Sequence, residues 1–420
     1  MKTYESVGET IYSFVHKSGL PVYVLRKKGF AKSYALFATD FGSINNVFTA
    51  DGVKIKLPDG VAHFLEHKLF EEQEGNVFEK FSALGASANA YTSFDLTGYL
   101  FSATDHFYES LEVLIKFVQN PYFTEDNVQK EKGIIGQEID MYRDDPAWNC
   151  FFGMLQGMYH THPVRHDIAG SADSIAQIDK TLLYQCYNAY YAPKNMVLFL
   201  AGDVDPQKVQ EIVDTVAVDR PSPNILFSLP EEPETVKDAE MEAEFMVAKP
   251  MFTLGFKEKP MEDAVYAEAV YDVLGTLIFG KSMPLYKQLY DALLVGDAYS
   301  FGYTAGHGYA FMQLDGESDD PIRVREMVVS HIEKMRAEGI KDTDFERVKK
   351  SVIGKALRQL DSVEQTANNF VPIFFRGGDY MSFCDTVRNL TLADVENVLR
   401  NGFGADRTVL SIIRPKGCKG

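Results

Sequence analysis

The hydrophobic and polar positions of the first half predict short strands and then a series of helices. Three short segments near the N-terminus, ETIYSFVHK, LPVYVLRKK and SYALFATDF, are typical of strands. Helical spacing follows from about Gly60 to Leu84 with a break near Glu74–Gly75, and ASANAYTSF and TGYLFSAT then predict a hairpin. Two long helical patterns come next, HFYESLEVLIKFVQN and TEDNVQKEKGIIGQEIDMYRDD, and a helix, a strand (NMVLFLAGDV) and a helix close this half.

A similar order recurs after a stretch rich in residues that break helices and strands. DRPSPNILFSLPEEPETVKD contains four prolines and is typical of a linker between domains. Beyond it we predict a strand in EFMVAKPMFTLGFK, helices, a hairpin in AYSFGYTAG and YAFMQLDGES, further helices and a last strand in RTVLSIIRP. The chain is therefore predicted to be an α+β protein of two related halves, residues 1–220 and 241–420, joined by a Pro-rich linker, residues 221–240.

Composition and charge limit the classes of molecule that the protein can bind. Apolar residues make up 45% of the chain and charged residues 24%, as in soluble globular proteins. The formal charge of −18 argues against nucleic acid, because phosphate binding needs a basic face, and against anionic membranes. The sequence shows no secretory signal and no apolar run of about 20 residues, so we expect a cytoplasmic protein. The four cysteines, Cys150, Cys186, Cys384 and Cys418, are scattered and are predicted to be free thiols.

The segment VAHFLEHKLFEEQ carries the strongest chemical signal. His63 and His67 are four residues apart on a predicted helix, so both imidazoles can face one point, with Glu66 beside them. Two imidazoles suit Zn²⁺, and a carboxylate that does not bind the metal can accept a proton from a bound water. This H-x-x-E-H order is a known zinc-peptidase signature, and chance alone gives about 0.03 such motifs in a chain of this composition.

A catalytic zinc needs a third protein ligand, and EKGIIGQE offers two. Glu131 and Glu138 are seven residues apart in a long predicted helix, so both carboxylates lie on one side of it. Either could bind the metal while the other supports a histidine ligand. A pair of solvated acids on a helix surface is the competing interpretation. A second histidine group, His160, His162 and His166 in HTHPVRH, has irregular spacing in a predicted loop, and we expect it to be structural or to give polarity to a substrate loop rather than to bind a metal.

Four motifs in order resemble the pitrilysin/insulinase family of zinc peptidases. They are GVAHFLEHKLFE, GASANAYTSFDLTGYLF, EKGIIGQE and HPVRHDIAGS. The resemblance is to the small bacterial processing-peptidase-like branch and covers most of the first half closely and the second by topology. It implies that each half is a mixed or antiparallel sheet with helices packed on one face.

The resemblance also implies roles for individual residues. His63, His67 and Glu138 would bind Zn²⁺, Glu66 would be the general base and Glu131 a supporting acid of the catalytic site. The segment Asn89, Ala90, Tyr91 and Thr92 matches the edge strand on which the family binds its substrate. Independently, an exposed strand edge offers free N–H and C=O groups to an extended peptide, although a plain hairpin would look the same.

The second half departs from the family pattern. Active members carry an Arg and, seven residues later, a Tyr in a context like L-x-x-x-L-R; here those positions are Tyr290 and Asp297, and Tyr299 is out of register. We therefore expect a homologous partner subunit that supplies the Arg/Tyr pair. The predicted function is a zinc metalloendopeptidase subunit that hydrolyses peptides or small unfolded polypeptides. The alternative is a non-catalytic peptide-binding or scaffold subunit of a heteromeric peptidase.

Overall fold

The computed structural model describes residues 1–417 and contains one large sheet in each half. The strands of the first half are β1 Lys2–Tyr4, β2 Glu9–Val15, β3 Pro21–Arg26, β4 Ser33–Thr39, β5 Val47–Ala50, β6 Val53–Lys56, β7 Glu71–Glu72, β8 Gly75–Asn76, β9 Ser87–Thr92, β10 Thr97–Ala103 and β11 Met196–Gly202. Its helices are α1 Val61–Leu69, α2 Val77–Ala83, α3 Phe107–Gln119, α4 Glu125–Arg143, α5 Pro146–Met158, α6 Ala172–Ala176, α7 Lys180–Tyr190 and α8 Pro206–Val216.

The second half has fewer strands and longer helices. Its strands are β12 Ile225–Phe227, β13 Glu240–Phe245, β14 Met251–Glu258, β15 Ser300–Gly306, β16 Tyr309–Glu317 and β17 Thr408–Pro415. Its helices are α9 Ala264–Phe279, α10 Pro284–Asp291, α11 Pro321–Glu338, α12 Asp342–Leu360, α13 Val363–Phe375, α14 Phe383–Asn389 and α15 Leu392–Asn401. The prediction of an α+β protein with two sheet-bearing halves is confirmed.

The two sheets have related topologies. The first has the order β1-β2-β3-β11-β4-β10-β9 and the second the order β13-β17-β14-β16-β15. Each is mainly antiparallel, with one parallel pair: β3 with β11 and β13 with β17. The helices repeat too, since α4 and α12 both have 19 residues and α5 and α13 both have 13. Hairpin strands β9 and β15 form one edge of their respective sheets.

The central strands are buried on both faces because a helix from the other half covers each sheet. All residues of β4 and β11 are buried, which matches their unbroken apolar sequences. Helix α13 of the second half packs on β4 and β11, where Phe370 lies 4.5 Å from Phe199 between ring centroids. Helix α5 of the first half packs in return on β13, β14 and β17. The two halves therefore share their cores.

Several elements differ from the sequence predictions. EFMVAKPMFTLGFK, predicted as one strand, contains only the last two residues of β13 and then, after a break at residues 246–250, most of β14. Pro250 ends this break, since it lacks an N–H and restricts the residue before it. Helix α5 and the small sheet β12-β5-β6 were not predicted, and β12 lies within the predicted linker, residues 221–240. The domain boundaries themselves stay a prediction.

Two further features are the apolar character of the helices and the state of the cysteines. No helix among residues 1–417 has both the length and the apolar character that a membrane crossing requires. Cys150, Cys186 and Cys384 are buried free thiols, and Cys418 lies outside the described residues.

Candidate metal centre

Helix α1 is held rigidly in the core of the first half. It begins after Gly60, whose φ of 91° and close approach to the backbone of Ala169 leave no room for a side chain. Val61, Phe64 and Leu65 are buried in the main core cluster, so the helix has a fixed rotation. His63 and His67 consequently project together on the side facing α4, with ring centroids 4.5 Å apart.

Helix α4 brings both predicted acids to these histidines. Thr124 caps its N-terminus with a capping box, and α4 packs against α1. The Oε1 of Glu138 lies 3.5 Å from Nε2 of His63, and its Oε2 lies 3.5 Å from Nε2 of His67. The Oε1 of Glu131 instead accepts a hydrogen bond from Nδ1 of His67 at 3.1 Å. The two acids thus approach different atoms.

The arrangement fits a tetrahedral zinc ion. Within residues 1–417, one group of three His, Cys, Asp or Glu side chains has converging ligand atoms: His63, His67 and Glu138, whose ligand atoms lie within 4.8 Å of one another. Zinc bonds of about 2.0–2.1 Å in a tetrahedron separate neighbouring ligand atoms by about 3.3 Å. Each histidine Nε2 lies at a similar distance, 3.5 Å, from one of the two oxygens of Glu138. Two imidazoles and one carboxylate are also a donor set of catalytic zinc sites.

Glu66 lies beside the three converging side chains, and Thr92 holds its carboxylate. It is buried, with 8% of its surface exposed, and its Oε2 accepts a 2.6 Å hydrogen bond from Oγ1 of Thr92. Burial raises the pKa of Glu66, although the nearby histidines and Thr92 act in the opposite direction. A carboxylate with a raised pKa is better suited to accept and return a proton near neutral pH.

Charge interactions shift the pKa values of the other titratable groups at this site. The imidazole of His63 is the largest influence on Glu138 and helps to lower its pKa to about 2. Burial alone would raise the pKa of Glu131, but its contacts with His67 and Lys68 outweigh burial and lower it. Burial would lower the pKa of His67, but the hydrogen bond to Glu131 and the surrounding carboxylates raise it. Both acids on α4 are therefore carboxylates at neutral pH.

Two residues that the sequence analysis did not single out contact the acids on α4. Tyr142 donates a 2.8 Å hydrogen bond to Oε1 of Glu138, and its ring stacks on Trp148 at 4.6 Å. The ammonium of Lys68 donates to Oε2 of Glu131 at 3.3 Å. The spacing of four between Glu138 and Tyr142 was a usable signal, because it places both on one side of the helix.

The side chains of the second histidine group, His160, His162 and His166, do not meet at a common ligand site. His162 is buried, its Nε2 donates to the carbonyl of His307 at 2.9 Å, and its Nδ1 accepts from the backbone N–H of Val164. Burial lowers the pKa of His162 to about 4. His166 pairs with Asp59 at 2.9 Å, and the backbone N–H of His160 binds Glu232. These contacts fix a loop against its neighbours, as a structural role requires.

The predicted substrate segment lies on an open sheet edge. Asn89, Ala90, Tyr91 and Thr92 belong to β9, which pairs with β10 on one side and ends the sheet on the other. The N–H of Ala90 is turned from the ladder and donates to the side chain of Asn89 at 2.9 Å. Thr92 reaches Glu66 from the same strand, so the open edge and the buried acid adjoin.

The positions expected for the Arg/Tyr pair lie in the second half. Tyr290 is on α10 and is 53% exposed, and Asp297 follows in the loop before β15. Tyr299 is buried, and its hydroxyl donates to the carbonyl of Phe279 at 2.9 Å. The hydroxyl of Tyr299 is therefore part of a structural contact within the second half.

Two models of known protein families match parts of the chain. Residues 56–171 match the model for insulinase (peptidase family M16), and residues 177–352 match the model for the peptidase M16 inactive domain. The chain is 42% identical to YmfH of Bacillus subtilis, named an uncharacterized zinc protease, over 98% of both chains.

Solved structures give the same fold. An M16-like peptidase of Alicyclobacillus acidocaldarius superimposes with a TM-score of 0.94 at 33% identity, covering 97% of this chain and 99% of the other. A protease of Helicobacter pylori superimposes with a TM-score of 0.83 at 19% identity, covering 97% of this chain and all of the other, and this likeness shows the fold alone.

Proposed function

The chain belongs to the M16 (insulinase/pitrilysin) family of zinc proteases, hydrolases that act on peptide bonds, and on that premise we propose that it is the metal-bearing subunit of a zinc endopeptidase. His63, His67 and Glu138 would hold the zinc, and Glu66 would be the general base. The observation that carries this proposal is the convergence of the three ligand side chains beside a buried carboxylate.

The residues around the metal would divide the chemistry between them. Bound zinc would supply a Lewis acid and lower the pKa of a water molecule. Glu66 would take the proton of the attacking water and return it to the leaving amine. Thr92 holds Oε2 of Glu66, which leaves Oε1 as the atom for proton transfer. Glu131 would orient the imidazole of His67 through Nδ1.

An extended peptide would bind by adding a strand to β9. Free backbone groups on the outer side of Asn89–Thr92 provide the affinity, and this binding mode tolerates many sequences. The amide side chain of Asn89 has to release the N–H of Ala90 before a peptide can pair there. The contact between Thr92 and Glu66 would then place the scissile bond next to the base.

A homologous partner subunit would complete the site. The oxyanion that forms during peptide hydrolysis needs hydrogen-bond donors besides the metal. Tyr290 and Asp297 occupy the positions of the family's Arg and Tyr, and Tyr299 is already bonded to Phe279. We expect the purified chain to bind zinc and to cleave slowly until a subunit with the Arg/Tyr pair is added.

Metal analysis combined with a quenched-peptide assay tests these roles. The variant Glu66→Gln should keep its zinc and lose cleavage, because it changes the base and not the ligands. Glu79→Gln, on the exposed side of α2, is the matched control and should behave as the wild type. Equal cleavage by Glu66→Gln and wild type would overturn the base assignment, and a wild type that binds no zinc would favour a non-catalytic subunit.

A further inference from the structure

Lys68 is a fully buried lysine next to a proposed metal ligand. Its side chain has 0% exposure, although it follows His67 on a helix whose other buried residues are mostly apolar. An ammonium group is costly to bury unless it is paired, so its partners indicate why it is there. Those partners are Glu71, three residues later, and Glu131 on α4.

Glu131 joins Lys68 to the metal centre. One carboxylate oxygen, Oε2, accepts from Nζ of Lys68 at 3.3 Å, and the other, Oε1, accepts from Nδ1 of His67 at 3.1 Å. The side chain of Glu131 is 8% exposed, so water has little access to compete for either oxygen. Its orientation is therefore set by the lysine on one side and by the histidine on the other.

Of the two histidines on α1, Glu131 supports His67. His67 has Glu131 on Nδ1, whereas the Nδ1 of His63 is buried without a hydrogen-bond partner within residues 1–417. A proton on Nδ1 of His67 leaves the lone pair of Nε2 directed at Glu138, 3.5 Å away. With a metal bound at Nε2, the hydrogen bond from Nδ1 to Glu131 would hold the imidazole of His67 in the tautomer that a zinc ligand needs.

We infer that Lys68 is a positioning residue of the metal centre, which fixes Glu131 in the orientation that holds His67 for zinc. This inference rests on the proposed function, because it requires that His67 binds the metal. Within residues 1–417, the ammonium of Lys68 bonds to Glu71 and Glu131. Its effect passes through Glu131 and should appear as zinc affinity.

Zinc affinity, measured by competition with a chromogenic chelator, tests the inference in the intact chain. Lys68→Met keeps much of the side-chain volume and should weaken zinc binding about 10- to 100-fold, the range for loss of a residue that supports a metal ligand. Lys80→Met is the matched control, because Lys80 also pairs with a glutamate but is 45% exposed. The control should bind zinc as the wild type does.

A double-mutant cycle separates positioning from simple packing. Glu131→Gln should weaken zinc binding to a similar degree, and adding Lys68→Met to it should change the affinity less than twofold, because the lysine acts through Glu131. The double variant buries neither an unpaired acid nor an unpaired ammonium, so it keeps the test available if Lys68→Met alone does not fold. Circular dichroism of the metal-free proteins checks the fold.

The outcomes distinguish this inference from the function on which it rests. Unchanged zinc affinity in folded Lys68→Met would overturn it, and so would an undiminished loss in the Glu131→Gln background. Either result leaves the zinc site itself in place. A wild-type chain that binds no zinc would instead overturn the proposed function and this inference together.

Discussion

Thr92 donates a 2.6 Å hydrogen bond from Oγ1 to Oε2 of Glu66, which connects the edge strand β9 to helix α1. The residue predicted to bind substrate and the residue predicted to act as the base are therefore in direct contact. A peptide that pairs with β9 would be aligned by the same strand that orients the base. This contact gives the first prediction.

Thr92→Val should lower kcat about 10- to 100-fold with little change in KM. The valine has nearly the same shape but cannot donate, and a hydrogen bond to a charged group contributes about 1.5–3 kcal/mol. Steady-state cleavage of a quenched peptide, in the preparation in which the wild type is active, measures it. Thr92→Ser, which restores the donor, should recover most of kcat; a rise in KM alone would show that Thr92 binds substrate without orienting Glu66.

Tyr142→Phe should weaken zinc binding about tenfold, because it removes the hydroxyl that holds Oε1 of Glu138 at 2.8 Å. The stack on Trp148 is kept, so stability should change little. Chelator competition gives the affinity, and Tyr122→Phe, on an exposed tyrosine, is the control. Wild-type affinity in Tyr142→Phe would mean that Glu138 needs no such support.

Zinc should raise the thermal unfolding midpoint of the wild type, because a ligand that binds only the folded state stabilises it. At a free zinc concentration of 100 times Kd the gain is about 2.7 kcal/mol. Glu138→Gln should show a much smaller shift, because the amide is a poorer zinc ligand than the carboxylate, whereas the exposed variant Glu79→Gln should show the full shift. Differential scanning fluorimetry with and without zinc measures the shifts. An equal shift in Glu138→Gln would remove Glu138 from the ligand set.

Glu258 should make the protein less stable as the pH rises from about 4.5 to 7. It is 6% exposed, burial raises its pKa to about 7, and its oxygens accept from Tyr271 and from the backbone N–H of Phe403. Between its unfolded and folded pKa values the unfolded state ionises and the folded state does not, so stability is lost as the pH increases.

Glu258→Gln should remove this dependence, since the amide keeps an acceptor but does not ionise. The unfolding free energy of the variant relative to the wild type should increase by on the order of 3 kcal/mol between pH 4.5 and 8. Urea unfolding at several pH values measures the difference, in which the titration of all other groups cancels. A difference that does not vary with pH would show that Glu258 titrates normally.

The metal motif was readable from sequence because its spacing is local. His63 and His67 share a helix face whatever surrounds the helix, and Glu131 and Glu138 do so on α4. Which acid approaches Nε2 of both histidines and which bonds Nδ1 of His67 depends on how α4 crosses α1, and before the fold was known only the resemblance to a family favoured one arrangement. Lys68 shows the limit clearly, because a lysine in a helix pattern is expected at the surface and here has no exposure.

The fold was predictable where patterns are regular and was missed where distant segments meet. The alternation in β9 and β10 and the helical spacing of α3 and α4 identified those elements correctly. Helix α5 was missed, because its apolar positions face a sheet whose strands β13, β14 and β17 come far later in the chain, at residues 240–258 and 408–415. The strand β12 was missed because Pro-rich sequence masked three residues that pair with β5.

Residues 1–240 produced alone should be poorly soluble, because they lack α13 and would expose the face of β4 and β11 that contains Phe199. Co-expression with residues 241–420 should restore solubility, since that segment contributes α13 and receives α5 in return. Size-exclusion chromatography of the separate and combined fragments measures this. A monomeric, folded fragment 1–240 would show that the shared cores are dispensable.

Because α13 covers the first sheet, that sheet can be fully buried only late in synthesis of the chain. Strand β11 completes the first sheet at Gly202, but the helix that covers its second face begins at Val363. At about 5–20 residues per second, the ribosome needs roughly ten to thirty seconds to deliver that helix. During this interval the face of the first sheet that α13 later covers stays exposed on the nascent chain. We expect chaperones that act near the ribosomal exit tunnel to bind this apolar face.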